Sequence, residues 1–370
     1  MTSTGDGAGD PAACIRVGLI GYGFSGKTFH APLIASVAGL DLRAICSRDA
    51  GKVGADFPDM VVHRDPQTLV DCDDIDLVVI ATPNETHAPL ARAAMAAGKH
   101  VVIDKPFTLD LHEARDLLAR AQRHNLLLSV FHNRRWDSDF LTICAAIEDG
   151  VVGEVTHFES HFDRFRPEVR DRWRENSGPG SGVWYDLGPH LVDQALRLFG
   201  LPDTVQASLA IQRAGAVTDD WAHVILSYAE RRVILHATML AAGGFDRFIV
   251  HGRAGSMTKR CADRQEQQLL GGMRPGDTGW GEDPDPLVVH DAGGTWERPA
   301  TAGDQRRYYQ GIAAALTGTG ANPVQPIEAL VVMAIVEAAI DSARTGATVT
   351  PPLSDRERAE TIASLSPRLA

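Results

Sequence analysis

What the chain lacks narrows its function. Its five cysteines (Cys14, Cys46, Cys72, Cys144, Cys261) are scattered, with no C-x-x-C pair, so they suggest neither a zinc site nor a disulfide framework, and no metal is expected. A reducing compartment fits, and the cytoplasm is the expected location. No apolar stretch approaches the roughly 18 residues of a membrane-spanning helix, so no membrane partner is expected. Basic residues are in deficit, 36 Lys and Arg against 48 Asp and Glu for a net charge of −12. With no basic block either, a nucleic-acid or anionic membrane surface is disfavoured. A small molecule is the expected partner. Residues 1–14, MTSTGDGAGDPAAC, carry neither a basic nor an apolar segment, so they read as a disordered tail rather than a signal peptide. There is no internal repeat.

What is there begins at residue 15. The chain has 370 residues, 44% apolar and 23% charged, enough for two domains with a core each. The apolar run from Ile15 to Ile20 reads as a strand, and Gly21, Gly23 and Gly26 follow it at G-x-G-x-x-G spacing before a helical segment. This is the dinucleotide fingerprint in its required context. Gly21 permits a tight turn, Gly23 lets the backbone approach a pyrophosphate, and Gly26 lets helix and strand pack closely. Tyr22, Phe24 and Ser25, interleaved with them, are candidate cofactor contacts. The unsatisfied amides at the helix start suit phosphate charge.

The cofactor choice turns on the end of the next apolar segment, Leu40 to Cys46. An NAD site places Asp or Glu about twenty residues past the glycines to hold the ribose 2′-hydroxyl. Here Ser47 and Arg48 stand instead, and an arginine fork pairs with phosphate oxygens. NADP is therefore favoured over NAD, with Asp49 left as an alternative ribose contact. Asp76 to Ala81 is a uniformly apolar strand, as buried parallel strands are. It ends on Thr82, Pro83 and Asn84, which with His87 lie where the nicotinamide half of a cofactor crosses such a sheet. His100 to Ile103 is the next strand and runs into Asp104-Lys105-Pro106. Asp110 to His124 is an amphipathic helix opened by an Asp110…Glu113 capping box, and Leu126 to Phe131 is a further strand leading to His132, Asn133 and Arg134. Strands alternating with helices define a doubly wound parallel sheet, a Rossmann domain over residues 15–136.

Beyond it the texture changes. Val155–Arg164, Val205–Ala214, Trp221–Tyr228, Val233–Leu240 and Phe248–Val250 read as strands without intervening helices, which predicts a second, α+β domain over 137–370 with a largely antiparallel open sheet. Leu191–Phe199 and a helix near Glu328–Ala343 are the expected cover of one face. Residues 262–304, rich in Gly, Pro, Asp and Gln, are expected to hold little regular structure. In WYDLGPHLVDQALRLFG, residues 184–200, Pro189 suits the first position of a helix, which would put Asp186 just before it and His190 in its first turn.

The fingerprint, Asp104-Lys105-Pro106 and Asp186-Leu187-Gly188-Pro189-His190 together resemble the Gfo/Idh/MocA family of nicotinamide-dependent sugar and polyol dehydrogenases, over nearly the whole chain. The family's glutamate-lysine-proline appears with a shortened acid at Asp104. The strings GYGFSGKTFHAPL, SVFHNRRWDSDFLT, RFRPEVRDRWRE and YDLGPHLVDQ look like its NADP-dependent scyllo-inositol 2-dehydrogenase subgroup. The resemblance implies the two-domain fold, a cleft between the domains, and assembly as a homodimer or homotetramer through the open sheet face. It also implies a catalytic group of Lys105, Asp186 and His190. His190 would accept the substrate proton, Asp186 would orient its imidazole, and Lys105 would hydrogen-bond the developing alkoxide. Trp173 and Arg174 match a segment that approaches nicotinamide and substrate. Asp104 is expected beside the cofactor, and His132, Asn133 and Arg134 offer contacts to a polyhydroxylated ring. Two rivals stand beside this reading: an oxidoreductase or cofactor-recycling lyase or hydrolase acting on another sugar, and an NADP-dependent sensor or regulator that kept the cofactor site without catalysis.

Overall fold

The computed structural model describes residues 14–171 and 175–365. Of the expected tail it describes only Cys14, which is exposed; Trp173 and Arg174 lie outside the described residues.

The fingerprint strand β1 (Ile15–Ile20) feeds a π-helical turn, Gly26–His30, continued by α1 (Ala31–Ala35). Then follow β2 (Leu40–Cys46), α2 (Ala50–Asp56), β3 (Val61–His63), α3 (Pro66–Val70), β4 (Leu77–Ile80), α4 (His87–Ala96), β5 (His100–Ile103), α5 (Leu111–His124) and β6 (Leu128–Val130). All pairings in this sheet are parallel, in the order β3-β2-β1-β4-β5-β6. Every residue of β4 is buried, as expected of a strand covered by helices on both faces. The Asp110 side chain caps α5 by accepting from the Glu113 amide, and Asn125 ends the helix in the left-handed region at φ 53°, the position where Asn is tolerated. The sequence pattern missed β3 because it is three residues at a sheet edge, none of them buried.

The second half comprises α6 (Ser138–Glu148), β7 (Val155–Asp163), α7 (Val183–Phe199), β8 (Thr204–Ala210), β9 (Trp221–Ser227), β10 (Arg232–Thr238), β11 (Phe248–Gly252), β12 (Gly255–Lys259), α8 (Gln265–Leu270), β13 (Leu287–Asp291), β14 (Gly294–Arg298), α9 (Arg306–Leu316), α10 (Pro326–Thr345) and α11 (Asp355–Leu365). Its eight strands run in the order β14-β13-β12-β11-β7-β10-β9-β8, antiparallel except where β7 meets β10. Alternation is clean in β9, where Ala222, Val224 and Leu226 are buried and the residues between them half-exposed. The buried face packs on α7 and α10, the two helices expected to cover it.

The 262–304 segment corrects the expectation of irregular structure: it supplies α8 and the β13–β14 hairpin, which extends the sheet through β12. β14 reads Gly-Thr-Trp-Glu-Arg with no buried residue, so an exposed edge strand left no hydrophobic alternation to detect. The chain also returns to its beginning. Tyr308, Tyr309 and Ile312 of α9 share a buried cluster with Val17, Leu19, Leu77 and Val79 of the first sheet. Among the described residues no helix is long and apolar enough to cross a membrane.

Candidate active site

The glycines divide by what needs them. Gly21 has φ +101°, and a Cβ there would meet the Ala81 carbonyl oxygen. At Gly26 a Cβ would collide with the Gly21 carbonyl, so these two close the turn and seat the helix on the strand. A Cβ on Gly23 would meet nothing within 4 Å. The protein's own packing does not require that glycine, which leaves room for a pyrophosphate to approach the loop. The residues present fit a dinucleotide, for which Gly21 to Gly26 would be the cradle. At the end of β2, Arg48 is exposed and forms no side-chain hydrogen bond or ion pair among the described residues. Ser47 Oγ accepts from the Asp49 amide at 3.1 Å, and Asp49 Oδ1 accepts from the Lys52 amide to cap α2.

At the far end of β5, Lys105 Nζ donates to Asp186 Oδ1 at 2.8 Å and to the Asp186 carbonyl at 2.7 Å. The partners are 81 residues apart in the chain, so the pair ties the first sheet to α7. That helix starts earlier than Pro189 suggests. Asp219 accepts from the Val183 amide through its carbonyl and from the Trp184 amide through its carboxylate, a cap supplied from outside the segment and therefore invisible in its local sequence. Burial pushes the Asp219 carboxyl up to about 6. Pro189 is consequently inside the helix and Asp186 in its first turn, with His190 four residues on, on the same face.

His190 is 5% exposed, its Nδ1 has no hydrogen-bond partner, and the Phe162 ring stands edge-on at 6.4 Å. The expected Asp186–His190 contact is not made: the carboxylate goes to Lys105 because both groups share the wall formed where β5 meets the helix start. Burial, then the charges of Lys105 and Arg134, hold the imidazole well below its usual value. A neutral ring with an unengaged nitrogen can accept a proton near neutral pH.

A cavity of about 570 Å³ contains this group, bounded by Phe24 and Ser25 of the fingerprint loop, Asp104, Asn133, Arg134 and Arg164. Asp104 is buried. Burial alone would raise its carboxyl, but His30, Lys105 and Ser25 outweigh it and hold it well below the usual range. Of the residues after β6, Asn133 and Arg134 reach the cavity. His132 does not: it is 2% exposed and neither ring nitrogen has a partner. Asn84 donates to the Gly180 carbonyl at 2.8 Å, and buried His87 bridges the Thr82 and Pro106 carbonyls. These two residues brace the cleft loops rather than face open space.

Profiles built for known families match both halves. Residues 15–132 match the NAD-binding Rossmann fold of the Gfo/Idh/MocA oxidoreductases, and residues 145–350 match the C-terminal alpha/beta domain. The chain belongs to the Gfo/Idh/MocA family. It is 54% identical over 339 residues to the uncharacterized oxidoreductase YdgJ of Escherichia coli, covering 90% of this chain and 98% of the relative. It is 36% identical to the scyllo-inositol 2-dehydrogenase (NADP(+)) IolW of Bacillus subtilis, covering 90% and 95%. A solved structure from Klebsiella pneumoniae superposes with a TM-score of 0.91 at 56% identity, covering 95% of this chain and 99% of that one. The chain is thus a Gfo/Idh/MocA oxidoreductase with a Rossmann NAD(P)-binding domain.

The cleft of this family member also holds charge that sequence reading did not single out. Arg164 lines the cavity from just past β7 with no side-chain hydrogen bond or ion pair among the described residues, and burial lowers its tendency to hold a proton. Arg213 is paired with Asp220 at 2.9 Å and Glu175 at 3.1 Å. Behind the wall, Arg135 is clamped by Asp193 at 2.6 Å and Glu328 at 2.8 Å, all three nearly sealed from solvent. The motif strings contain several of these residues, but only the pairing of distant elements reveals which ones face the cavity.

Proposed function

We propose that this oxidoreductase transfers a hydride between a cyclic polyol or sugar of the inositol type and NADP, giving a ketone such as an inosose. The observation that carries the reading is the Lys105–Asp186 pair beside neutral, half-unpartnered His190 in one cleft. Bound nicotinamide supplies the hydride acceptor, and the protein must supply the base and the geometry. His190 takes the proton of the substrate hydroxyl. Lys105 donates a hydrogen bond to the same oxygen as its negative charge grows, and Asp186 holds the Lys105 side chain at the cavity wall. Asn133 and Arg134 offer donors to neighbouring hydroxyls. In the reverse direction the same groups protonate a carbonyl.

NADP is favoured over NAD by Arg48, which stands exposed and uncommitted at the end of β2, and by the use of Asp49 as a helix cap, which commits one of its oxygens. The name of the IolW relative points the same way. Association into a homodimer or homotetramer through the face of the second sheet turned away from α7 and α10 belongs to the same proposal, and light scattering tests it. The sensor reading is weaker because Lys105, Asp186 and His190 are all in place. The deciding experiment follows nicotinamide reduction with NADP and with NAD against scyllo-inositol, myo-inositol, glucose and xylose. Turnover with NADP and an inositol is expected; NADP binding without turnover on any of the four would overturn the substrate class.

A further inference from the structure

On the face of the second sheet opposite α7, His161 stands directly across the parallel β7–β10 pairing from His236. Asp163 lies two residues beyond His161, and one ligand atom from each of the three falls within 4.8 Å of the others. We propose that His161, Asp163 and His236 form a divalent transition-metal site, best suited to Zn²⁺, separate from the cleft.

The hydrogen bonds fix which atoms face inward. His236 Nδ1 lies 3.1 Å from the Ala222 carbonyl oxygen, which can only accept, so Nδ1 carries the proton and Nε2 presents a lone pair. That lone pair faces Asp163 Oδ1 at 3.8 Å, and this oxygen is buried with no hydrogen-bond partner. The Asp163 side chain is only 2% exposed. Two acceptors thus confront each other in a buried gap, an arrangement that a bound cation relieves. On the other side, His161 Nδ1 lies 3.3 Å from Asp163 Oδ2, while its Nε2 lies 2.9 Å from Glu159 Oε2. With Nε2–H donating to Glu159, Nδ1 is free to bind metal once it gives up its proton. A ligand histidine steadied by a carboxylate, and another by a backbone carbonyl, is the usual support of a metal site.

The spacing agrees. Two ligands at about 2.0–2.2 Å from a tetrahedral Zn²⁺ stand roughly 3.3–3.6 Å apart; here each imidazole faces its own oxygen of the Asp163 carboxylate, at 3.3 Å from Oδ2 and 3.8 Å from Oδ1, and the three donor atoms, within 4.8 Å of one another, draw in on binding. Two imidazoles and a carboxylate without thiolate suit Zn²⁺ or Co²⁺ better than a soft ion. Phe245 stacks on His161 at 5.3 Å and shields one side, and the fourth position is left to water. The lack of C-x-x-C pairs speaks only to thiolate sites; this one is assembled by strand pairing.

The test uses the full chain without a histidine tag, stripped with chelator and titrated with ZnCl₂ by calorimetry. The expected result is one Zn²⁺ per chain and, at a hundredfold excess over Kd, a Tm rise of about 5 °C. Asp163→Asn, which keeps the side-chain shape, and His236→Ala should each weaken binding at least about tenfold and leave NADP affinity unchanged. Co²⁺ in the same site should give the intense visible bands of tetrahedral coordination. Absence of zinc binding at micromolar concentration, or wild-type binding by both variants, would overturn the proposal.

Discussion

The fingerprint loop after β1 offers backbone to the cleft, whereas the seam where the ends of β5 and β6 meet α7 and the second sheet offers charge. On the first side, β1, buried except at half-buried Arg16, ends in a loop whose glycines clear space, and the side chains named in it serve packing or lie at the rim, as Phe24 does at 53% exposure. Along the seam, Lys105 at the end of β5 with Asp186, Arg135 beyond β6 with Asp193 and Glu328, and Arg213 with Asp220 and Glu175 place ion pairs in or behind the wall. A backbone surface binds a ligand common to a whole family. A charged wall sets chemistry and choice of substrate, at the cost of desolvating each member. The two sides should therefore respond to mutation in different observables.

The largest effect is expected at Arg135→Met, which leaves Asp193 and Glu328 buried without their cation. Removing one partner of such a group costs about 3–5 kcal/mol, read as a fall in the denaturant midpoint; a loss under about 1 kcal/mol would mean the charged wall is not held by its ion pairs. Next comes pH. Because the His190 imidazole titrates below its usual value, it stays neutral and able to accept a proton as pH falls through about 6.5. The acid limb of kcat/KM for polyol oxidation should lie below that point and drop about tenfold per unit beyond it; a limb above it would assign the base elsewhere. Smaller again is Arg48→Asp, expected to raise the KM for NADP by about tenfold or more with little change for NAD. Equal effects on both would sink the 2′-phosphate assignment. The smallest change in stability belongs to Gly23→Ala, within about 0.5 kcal/mol by chemical denaturation, accompanied by weaker cofactor binding. If stability falls as it should for Gly26→Ala, where a Cβ meets the Gly21 carbonyl, then Gly23 serves the fold and not the ligand.

Legibility follows the same division. The first sheet was readable because the apolar runs, glycine spacing and Asp110 cap are local signals, and its one missed strand, β3, is a short edge. In the second half the central strands β7 to β11 announced themselves, but β12 buries one apolar side chain, Met257, β13 buries only Leu287 and Val289, and β14 buries none, so these short strands carry too little alternation to detect. Lys105, Asp186 and His190 were legible as motif residues. Their arrangement was not, because the cap that starts α7 comes from Asp219, far downstream, and moves Pro189 from the first position into the helix. His132 and His87 were misplaced for a related reason: position at a strand end fixes where a residue leaves the sheet but not whether its ring turns toward the cavity or into the packing beneath.

The division of labour between the walls is tested most directly by His190→Ala, measured for kcat on the best polyol and, separately, for NADP affinity. The expected result is a fall in kcat of at least about 10² with cofactor affinity near that of the wild type. A kcat within about threefold of wild type would remove His190 from the proton transfer, and a matching loss of NADP affinity would contradict the separation of the two walls.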